Sequence, residues 1–212
     1  MHLELDSPLG HWTGIFTDQF WHACVHEDDP LSAEIKEAVK LSSTKCTEMP
    51  VELFLERWKS YWKRGGVSFS DIPMRLVGLS PFQRNVLTAT QKIPAGECAS
   101  YRDLAQEVGS ANAARAVGST LAKNPLLLGV PCHRVLPRMA EERVEKWFVA
   151  LRPQLGAPCT EPSERFEFLE TIIRANLDTI SPSPEQAVQL LVGEFRLGSF
   201  MKLLLFTHER WV

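Results

Sequence analysis

PCHRV, at positions 131–135, sets a cysteine beside a histidine and an arginine. It directly follows LLLGV at positions 126–130, an apolar run that predicts a buried strand. A thiol delivered at the end of such a strand would lie at a fixed point, shielded from bulk water. Only the thiolate is a good nucleophile, and neighbouring cationic or basic groups raise its fraction. Because free cysteines are usually just packed in a core, a reactive role and a structural role both stay open here.

The composition is typical of a globular protein with one core or two small domains. The chain has 212 residues, of which 44% are hydrophobic and 23% are charged. No apolar stretch approaches the roughly eighteen residues of a membrane span, and the first residues lack the pattern of a secretion signal. Five scattered cysteines without a CxxC pair suit a reducing compartment. We therefore expect an intracellular protein with no membrane partner.

Charge is distributed unevenly along the chain. The net charge is −3, yet residues 80–138 carry seven Lys or Arg and three acidic residues, which leaves the remainder at −7. A local positive field in an acidic protein favours a polyanionic partner for that segment. A solvated surface would have a similar composition, so charge alone does not decide between the two.

The N-terminal part predicts strands followed by helices. A turn at residues 6–10 precedes two apolar runs, and a short polar break separates them. Helical spacing of apolar residues appears twice further on. We predict strands over residues 12–16 and 20–25, helices over 31–41 and 51–63, and an extended crossover over 67–79.

Two helix starts after the crossover are marked by capping boxes. Ser80 can cap a helix whose first residue is Pro81 and whose Gln83 completes the box. This helix should run to about residue 92. Ser100 and Asp103 form a second box, and the helix that they begin should end before the glycine at position 109.

A third helix is predicted over residues 113–123, with Asn112 as its cap. Together with the preceding helix and the glycine turn, it gives a helix-turn-helix outline. Its surface is nearly bare, and Arg115 projects from it; the small residues are Ala113, Ala114, Ala116, Gly118 and Ser119. Such a helix suits a narrow nucleic-acid groove. Close packing on another helix would favour the same composition.

Taken together, these motifs resemble the O6-alkylguanine-DNA alkyltransferases, also called methylated-DNA–protein-cysteine methyltransferases. The matching pieces occur in family order and cover residues 1–137 and 192–210. They are Ser7-Pro8-Leu9-Gly10, Ser80-Pro81-Phe82-Gln83-Arg84, Ile93-Pro94-Ala95-Gly96-Glu97, Ser100-Tyr101, Leu104-Ala105, Ala113-Ala114-Arg115-Ala116-Val117-Gly118, Asn124-Pro125, Pro131-Cys132-His133-Arg134-Val135, Gly193-Glu194-Phe195-Arg196-Leu197-Gly198, Lys202 and His208-Glu209.

The resemblance implies a mixed α/β (α+β) fold in two domains. Residues 1–76 would form a small antiparallel sheet with helices, similar to ribonuclease H. Residues 77–212 would form a mainly helical domain with a helix-turn-helix, interrupted by an atypical insertion at about 138–191. The insertion contains predicted helices over 140–151 and 163–177 and proline-rich breaks, including one at Pro153. It lies where the substrate pocket should close, and we interpret it as a peripheral subdomain, with a lid and a partner surface as the alternatives.

The resemblance also implies a function. Members repair DNA damage by transferring the alkyl group from O6-alkylguanine, and from O4-alkylthymine, to a cysteine of the protein. The damaged base is flipped out through the minor groove, as chemistry on a stacked base requires. The implied partner is double-stranded DNA that contains O6-alkylguanine. A monomer that needs no cofactor and acts once is expected, cytoplasmic in a bacterium or archaeon and nuclear in a eukaryote.

Residue roles follow from the matched positions. Cys132 would be the nucleophile, His133 its base through a water molecule, and Glu209 the group that orients His133. Asn124 would brace the turn beside the thiol, and Tyr101 would rotate the base and donate a proton. The implied DNA-binding residues are Arg115, Tyr101, Ala114, Lys123 and Arg134, with Arg115 replacing the flipped nucleotide. The implied substrate-pocket residues are Val135, Phe195 and Arg196.

The chain departs from the family pattern in its substrate loop. Phe195 replaces the usual tyrosine and keeps an aromatic wall without the hydroxyl. Leu197 replaces a usual glycine, which would narrow the pocket and limit bulky adducts. Upstream, His22, Cys24 and His26 alternate along one predicted strand and are weak candidates for structural zinc, since no fourth ligand is obvious.

Three other functions compete with alkyl transfer. An alkyltransferase-like sensor would flip alkylguanine without repairing it, but such proteins lack the cysteine that stands here at position 132. A sequence-specific helix-turn-helix regulator needs polar base-reading side chains, which the alanine-rich helix does not offer. A Cys–His hydrolase would require a separate histidine with an orienting partner.

Overall fold

The structure is a computed structural model that describes residues 1–17, 20–40, 48–76, 78–156, 161–177, 179–181 and 183–211. Residues 18 and 19, in the polar break between the two predicted N-terminal strands, lie outside the described residues. So do the last residue of the helix predicted over 31–41 and Cys159.

The N-terminal region is an antiparallel sheet covered by helices, as predicted. Strands β1 (His2–Ser7), β2 (Gly10–Thr17) and β3 (Phe20–His26) pair in the order β1-β2-β3, followed by helices α1 (Ser32–Lys40) and α2 (Glu48–Arg64). Ser7 pairs with Gly10 across a two-residue turn, and Gly10 adopts φ +105°, a conformation that glycine allows at little cost.

Aromatic side chains fill the space between this sheet and α2. The Trp21 ring lies 4.8 Å from Phe54 and 5.6 Å from Phe69, and all three are buried. Trp58 adds a hydrogen bond from its indole nitrogen to the Asp6 carbonyl at 3.0 Å. Large aromatic rings bury much apolar area at a small entropic cost, so this cluster fixes α2 on the sheet.

Both predicted capping boxes are present. Helix α3 (Pro81–Gln91) begins after Ser80, whose hydroxyl accepts from the Gln83 amide while the Gln83 side chain accepts from the Ser80 amide. Helix α4 (Tyr101–Glu107) begins after Ser100 with the same exchange. The prediction for the third helix was wrong at its start, since α5 (Ala114–Leu121) has Ala113 at its N-cap and no side-chain cap.

The strand predicted over 126–130 is absent from this described segment. Only Leu126 forms a bridge, to Cys24 of β3, and the residues after it turn, with Leu128 at φ 68°. Gly129 lies against the Trp21 ring, where a Cβ atom would come within 2.5 Å. The apolar run is therefore buried by packing against the N-terminal sheet, and burial alone does not distinguish a strand from an irregular segment.

The turn leads directly into the segment that carries the nucleophile. Cys132–Arg134 is a 3-10 helix, and β5 (Val135–Leu136) follows and pairs in parallel with β4 (Ala99–Ser100). The cysteine is therefore not at the end of a strand, as predicted, but in a tight helical turn between two anchored segments.

The inserted segment is helical in its described ranges. It contains α6 (Arg138–Leu155), α7 (Pro162–Leu177) and α8 (Pro184–Val192), the last of which was not predicted. The break predicted at Pro153 was wrong because α6 continues to Leu155. Proline removes the amide that would bond to the carbonyl four residues earlier, and Val149 is exposed, so water can satisfy that carbonyl.

These helices pack against α9 (Ser199–Arg210), the last helix of the described chain. Trp147, Leu169 and Leu191 join Leu203 and Phe206 of α9 in one buried cluster. The insertion therefore shares a core with the helix that carries Glu209, which does not fit a merely peripheral role. The division at residue 77 stays a prediction. No helix in the described ranges is both long and apolar enough to span a bilayer.

Candidate active site

Cys132 lies at the first position of the 3-10 helix and is 5% exposed. Asn124 contacts its sulfur, with Nδ2 at 3.2 Å from Sγ. The same amide nitrogen donates to the Val130 carbonyl at 2.8 Å, and Oδ1 accepts from the Leu126 amide. The Asn124 side chain thus ties the turn together and holds the sulfur at the position predicted for the nucleophile.

The surroundings of Cys132 favour the thiol form. Burial raises the pKa of Cys132, and the hydrogen bond from Asn124 and the positive charges of Arg196 and Lys202 offset this only in part. The neighbouring cations thus favour the thiolate, as expected, but they do not outweigh burial. The sulfur needs a base to remove its proton.

His133 is arranged as such a base. Its Nε2 lies 2.9 Å from Glu209 Oε1, and the ring is 1% exposed. Although burial alone would raise the pKa of Glu209, His133 and Arg134 hold it well below its usual range, so Glu209 is a carboxylate and His133 Nε2 carries the hydrogen. Nδ1 is then the basic atom, and it is buried without a hydrogen-bond partner among the described residues.

The ring is neutral at rest. Burial lowers the pKa of His133, against the opposing attraction of Glu209. Nδ1 can therefore accept a proton at neutral pH, and the resulting imidazolium would face the Glu209 carboxylate. Since Nδ1 has no partner among the described side chains, a proton from Cys132 would reach it through a water molecule, as the family resemblance implies.

Arg134 is buried beside Glu209, which contradicts its predicted contact with DNA. Its Nε lies 2.7 Å from Oε2 and its Nη2 lies 2.8 Å from Oε1, while Nη1 donates to the Ile93 carbonyl at 2.6 Å. A carboxylate in the interior is tolerated only when it is paired and hydrogen-bonded. The charge of Arg134 is therefore committed to Glu209.

The position of Val135 does not match its predicted role in the substrate pocket. Val135 is fully buried and is not among the described residues that line the cavity. Its carbonyl accepts from Lys202 Nζ at 2.6 Å, so this group already has a donor. Burial lowers the pKa of Lys202 to about 8, and the cation lies close enough to Cys132 to influence it.

Cys132 lies in the lining of a cavity of about 830 Å³. Tyr101 of α4 and several residues of α5 form one wall, and the loop before α9 forms the other. Gln189 of α8 also lines it, so the insertion contributes to the site. The described lining residues are Tyr101, Ala114, Arg115, Gly118, Ser119, Leu121, Ala122, Cys132, Pro137, Gln189, Gly193, Glu194, Phe195 and Arg196. A cavity of this size can admit a nucleobase.

The predicted DNA-binding residues of α5 divide between two places. Ala114 and the exposed Arg115 lie on the cavity wall, next to the entrance. Lys123 lies instead in a shallower hollow of about 420 Å³ between α3 and α5. Tyr101 is half-buried, and burial followed by the nearby Cys132 raises its pKa to about 12, so it is a neutral phenol that can donate.

The loop before α9 carries Arg196, whose guanidinium is bonded to other residues of the protein. Arg196 lines the cavity, but Nη2 lies 2.7 Å from Asp29 Oδ2 in the N-terminal region and 2.8 Å from the Asn124 carbonyl. Phe195 forms part of the wall, as predicted. Leu197 packs against the main core and is not among the described lining residues, so the predicted narrowing is absent there.

The zinc candidates are integrated into the core. His22, Cys24 and His26 are all buried on β3. His26 Nε2 donates to the Leu9 carbonyl at 2.7 Å and Nδ1 accepts from the Asp28 amide, so both ring nitrogens are used. Burial raises the pKa of the Cys24 thiol. Within the described ranges, no group of three His, Cys, Asp or Glu residues could hold a metal ion.

Several groups around the site come from distant parts of the chain and were not predicted from the sequence. Tyr61 of α2 donates to Glu209 Oε1 at 3.0 Å. Arg165 of α7 donates to His208 Nδ1 at 3.0 Å and to the Trp211 carbonyl, so the insertion holds the end of α9. No local signal identifies Arg165 or Gln189, and the tyrosine lies in a helical pattern that predicts only packing.

The fold and the site define a class of protein. It is a helix-turn-helix protein in which a buried cysteine lines a cavity beside the second helix, and the histidine next to the cysteine is oriented as a base. The family model for the 6-O-methylguanine DNA methyltransferase DNA-binding domain matches residues 81–154. The methylated-DNA–protein-cysteine methyltransferase of Metallosphaera sedula is 37% identical over 113 residues, 50% of this chain and 70% of that protein. This chain belongs to the methylated-DNA–protein-cysteine methyltransferase family.

A curated relative and two solved structures give further matches. The enzyme of the same name from Mycolicibacterium paratuberculosis is 47% identical over 72 residues, 34% of this chain and 43% of that protein. The crystal structure of the Mycobacterium tuberculosis O6-methylguanine methyltransferase matches with a TM-score of 0.53 and 27% identity, covering 65% of this chain and 78% of that one. A complex of the same organism's OGT with DNA matches with a TM-score of 0.51 over the same shares. The predicted family and fold class are confirmed.

Proposed function

We propose that this protein repairs DNA by moving the alkyl group of O6-alkylguanine onto Cys132 in a single displacement. The observation that carries the proposal is a cavity lined by Cys132, whose neighbour His133 is a neutral imidazole. Glu209 holds this ring at Nε2, and Nδ1 has no hydrogen-bond partner among the described residues. This arrangement is a nucleophile with an oriented base. Membership of the methyltransferase family supports the same reaction.

The target base must leave the duplex before it can react. The helix-turn-helix presents α5, whose small side chains allow a close approach to the minor groove. Arg115 would enter the stack in place of the flipped nucleotide, because it is exposed at the cavity entrance. Tyr101, on the same wall of the cavity as α5, would guide the base inward. DNA is the partner, and O6-alkylguanine is the base that we propose the cavity accepts.

The chemical step then balances as one substitution. The proton of the Cys132 thiol passes through water to His133 Nδ1, and Glu209 stabilises the imidazolium. The sulfur attacks the alkyl carbon, a carbon–sulfur bond forms, and the bond from carbon to guanine O6 breaks. The purine takes the bonding electron pair and then a proton, for which the neutral Tyr101 phenol is our candidate donor.

The product is a thioether on the protein. Because a thioether has no easily displaced group, each molecule acts once and the enzyme is consumed. No cofactor enters this balance, and we propose that none is required. O4-alkylthymine offers the same alkyl–oxygen bond and is a second candidate substrate. We propose that the protein acts as a monomer in the compartment that holds the DNA: the cytoplasm of a bacterium or archaeon, or the nucleus of a eukaryote.

A damage sensor that flips alkylguanine without repair is the alternative within the same family. It would have no use for a nucleophile held by Asn124 beside an oriented base, so Cys132 disfavours it. A sequence-specific regulator is disfavoured by the alanines on α5, which offer no hydrogen bonds to base edges.

The DNA product distinguishes repair from sensing. A duplex in which O6-methylguanine blocks a restriction site should become cleavable after incubation with the protein, in an amount equal to the protein added. The variant Cys132→Ser should bind the duplex and leave it blocked. Binding without restored cleavage by the unmodified protein would support the sensor and overturn the proposal.

A further inference from the structure

A tyrosine from the N-terminal region reaches the carboxylate behind His133. Tyr61 lies on α2, 148 residues before Glu209, and donates its hydroxyl hydrogen to Glu209 Oε1 at 3.0 Å. Its side chain is 1% exposed. Burial, followed by the neighbouring carboxylate, raises the pKa of Tyr61 well above its usual value, so the phenol is neutral and can only donate to an anion.

This hydroxyl shares its acceptor with the catalytic histidine. Glu209 Oε1 receives His133 Nε2 at 2.9 Å, Arg134 Nη2 at 2.8 Å and the Tyr61 hydroxyl. Each donor draws on the same negative charge and fixes the direction of the carboxylate. A carboxylate that is held by more donors is a weaker acceptor for any one of them.

The placement of Tyr61 is itself supported by main-chain contacts. His208 Nε2 donates to the Tyr61 carbonyl at 2.7 Å, and Arg165 of the insertion holds the other ring nitrogen of His208. The end of α2 approaches α9 so closely that a Cβ atom at Gly65 would lie 2.7 Å from the His208 carbonyl. The two helices are therefore seated against each other at this point.

We propose that Tyr61 is a positioning residue for alkyl transfer: its hydroxyl fixes the Glu209 carboxylate and draws on part of its charge, and so limits how strongly Glu209 stabilises an imidazolium at His133. Through this contact the N-terminal region sets the strength of the base that deprotonates Cys132. The inference rests on the proposed role of His133 as that base. Tyr61 itself touches neither the cavity nor the sulfur in the described contacts.

The substitution Tyr61→Phe isolates the hydroxyl. Phenylalanine keeps the ring, whose centroid lies 5.1 Å from that of Trp62 and 5.4 Å from that of His208. Glu209 loses one hydrogen-bond donor. More of the carboxylate charge is then available to an imidazolium at His133, so its pKa should rise by about 0.5–1 unit.

The other charged or titratable groups around this pair stay in place. They are Arg134 and Cys132 on the 3-10 helix, Lys202 and His208 on α9, and Arg165 on α7. The substitution Tyr61→Phe leaves all of these side chains in the protein. A change in the titration of His133 can therefore be assigned to the lost hydrogen bond.

The direct test is an NMR titration of the His133 imidazole in the full-length protein, assigned with His133→Gln. Tyr61→Phe should raise its pKa, and the acid limb of the alkyl-transfer rate should move to higher pH by the same amount. Thr207→Val is the matched control: it removes a buried hydroxyl whose partner among the described residues is the Leu203 carbonyl of the same helix, and it should move neither.

A second variant covers the case in which Tyr61→Phe does not fold. The chain contains only two tyrosines, so 3-fluorotyrosine incorporated in a Tyr101→Phe background labels Tyr61 alone. The more acidic phenol is a stronger donor and should lower the His133 pKa. An unchanged His133 titration in either protein overturns the proposal. This readout needs no alkyl transfer, so it stands even if the protein fails to repair DNA.

Discussion

Replacement of Arg134 by methionine separates an interior role from a DNA contact. The substitution keeps part of the apolar stem and removes the guanidinium, which makes two hydrogen bonds to Glu209 at 2.7 and 2.8 Å and one to the Ile93 carbonyl at 2.6 Å. The Glu209 side chain has no exposed surface, so water cannot replace the lost partner. Tyr61 and His133 would remain as its donors.

The size of the expected stability loss follows from the Glu209 carboxylate, which would stay buried and charged without Arg134. Removal of one partner from a buried ion pair costs about 3–5 kcal/mol, because an uncompensated charge stays in the interior. We expect a loss of this size in the free energy of unfolding, a large part of the roughly 5–15 kcal/mol of a typical domain. Glu209 would also lose its orientation, so alkyl transfer should slow in any molecules that stay folded.

Urea denaturation at neutral pH, followed by tryptophan fluorescence, measures this loss. The matched control is Arg115→Met, which removes an exposed arginine from the cavity entrance and should change the free energy of unfolding by no more than about 0.5 kcal/mol. The reasoning is refuted if Arg134→Met costs less than about 1 kcal/mol and instead weakens DNA binding with a smaller salt dependence, as the loss of a phosphate contact would.

Three further predictions concern the duplex, the acid stability and the insertion. Arg115→Ala should slow repair in duplex DNA by at least about tenfold and hardly affect the reaction with free O6-benzylguanine, because only the duplex requires a displaced base; equal losses in rate assays would reject the wedge role. Burial lowers the pKa of His208 to about 4, so the unfolded chain binds more protons than the folded one below about pH 6.5. The free energy of unfolding should therefore fall by about 3 kcal/mol from this group between pH 6.5 and 4, and His208→Gln, which keeps an acceptor for Arg165 and a donor for the Tyr61 carbonyl, should flatten that slope. An unchanged slope in denaturation curves would contradict the assignment. Gln189→Ala should raise the rate for a benzyl adduct relative to a methyl adduct by up to about tenfold, since α8 lines the cavity; an unchanged ratio would mean that the insertion does not limit adduct size.

Local signals predicted the parts of the fold that depend on local chemistry. The capping boxes at Ser80 and Ser100 require only residues three apart, and both are present. The strand predicted over 126–130 is absent because the segment is buried by packing in the main core and not by strand pairing. Gly129, for example, lies against Trp21, a residue more than a hundred positions earlier. The missed α8 follows a proline-rich stretch, where breaker signals dominated the interpretation.

At the candidate site, too, the sequence predicted some residues and missed those whose position depends on contacts between distant parts of the chain. The resemblance supplied Cys132, His133 and Glu209, and the structure brings these three residues together. The resemblance did not indicate that Arg134 points inward, because an arginine beside a nucleophile in a basic segment is equally suited to contact DNA. Its orientation is set by the ion pair with the buried Glu209. Tyr61 could not be predicted, since nothing in a helical pattern shows which side chain will meet a residue 148 positions away.

Mass spectrometry of the protein after reaction tests the central claim most directly. After incubation with excess O6-methylguanine duplex, the intact protein should gain the mass of one methyl group and no more, and digestion should place it on the peptide that contains Cys132. A methyl group on Cys98 or Cys159, a second addition, or continued repair by protein that carries no label would contradict the account.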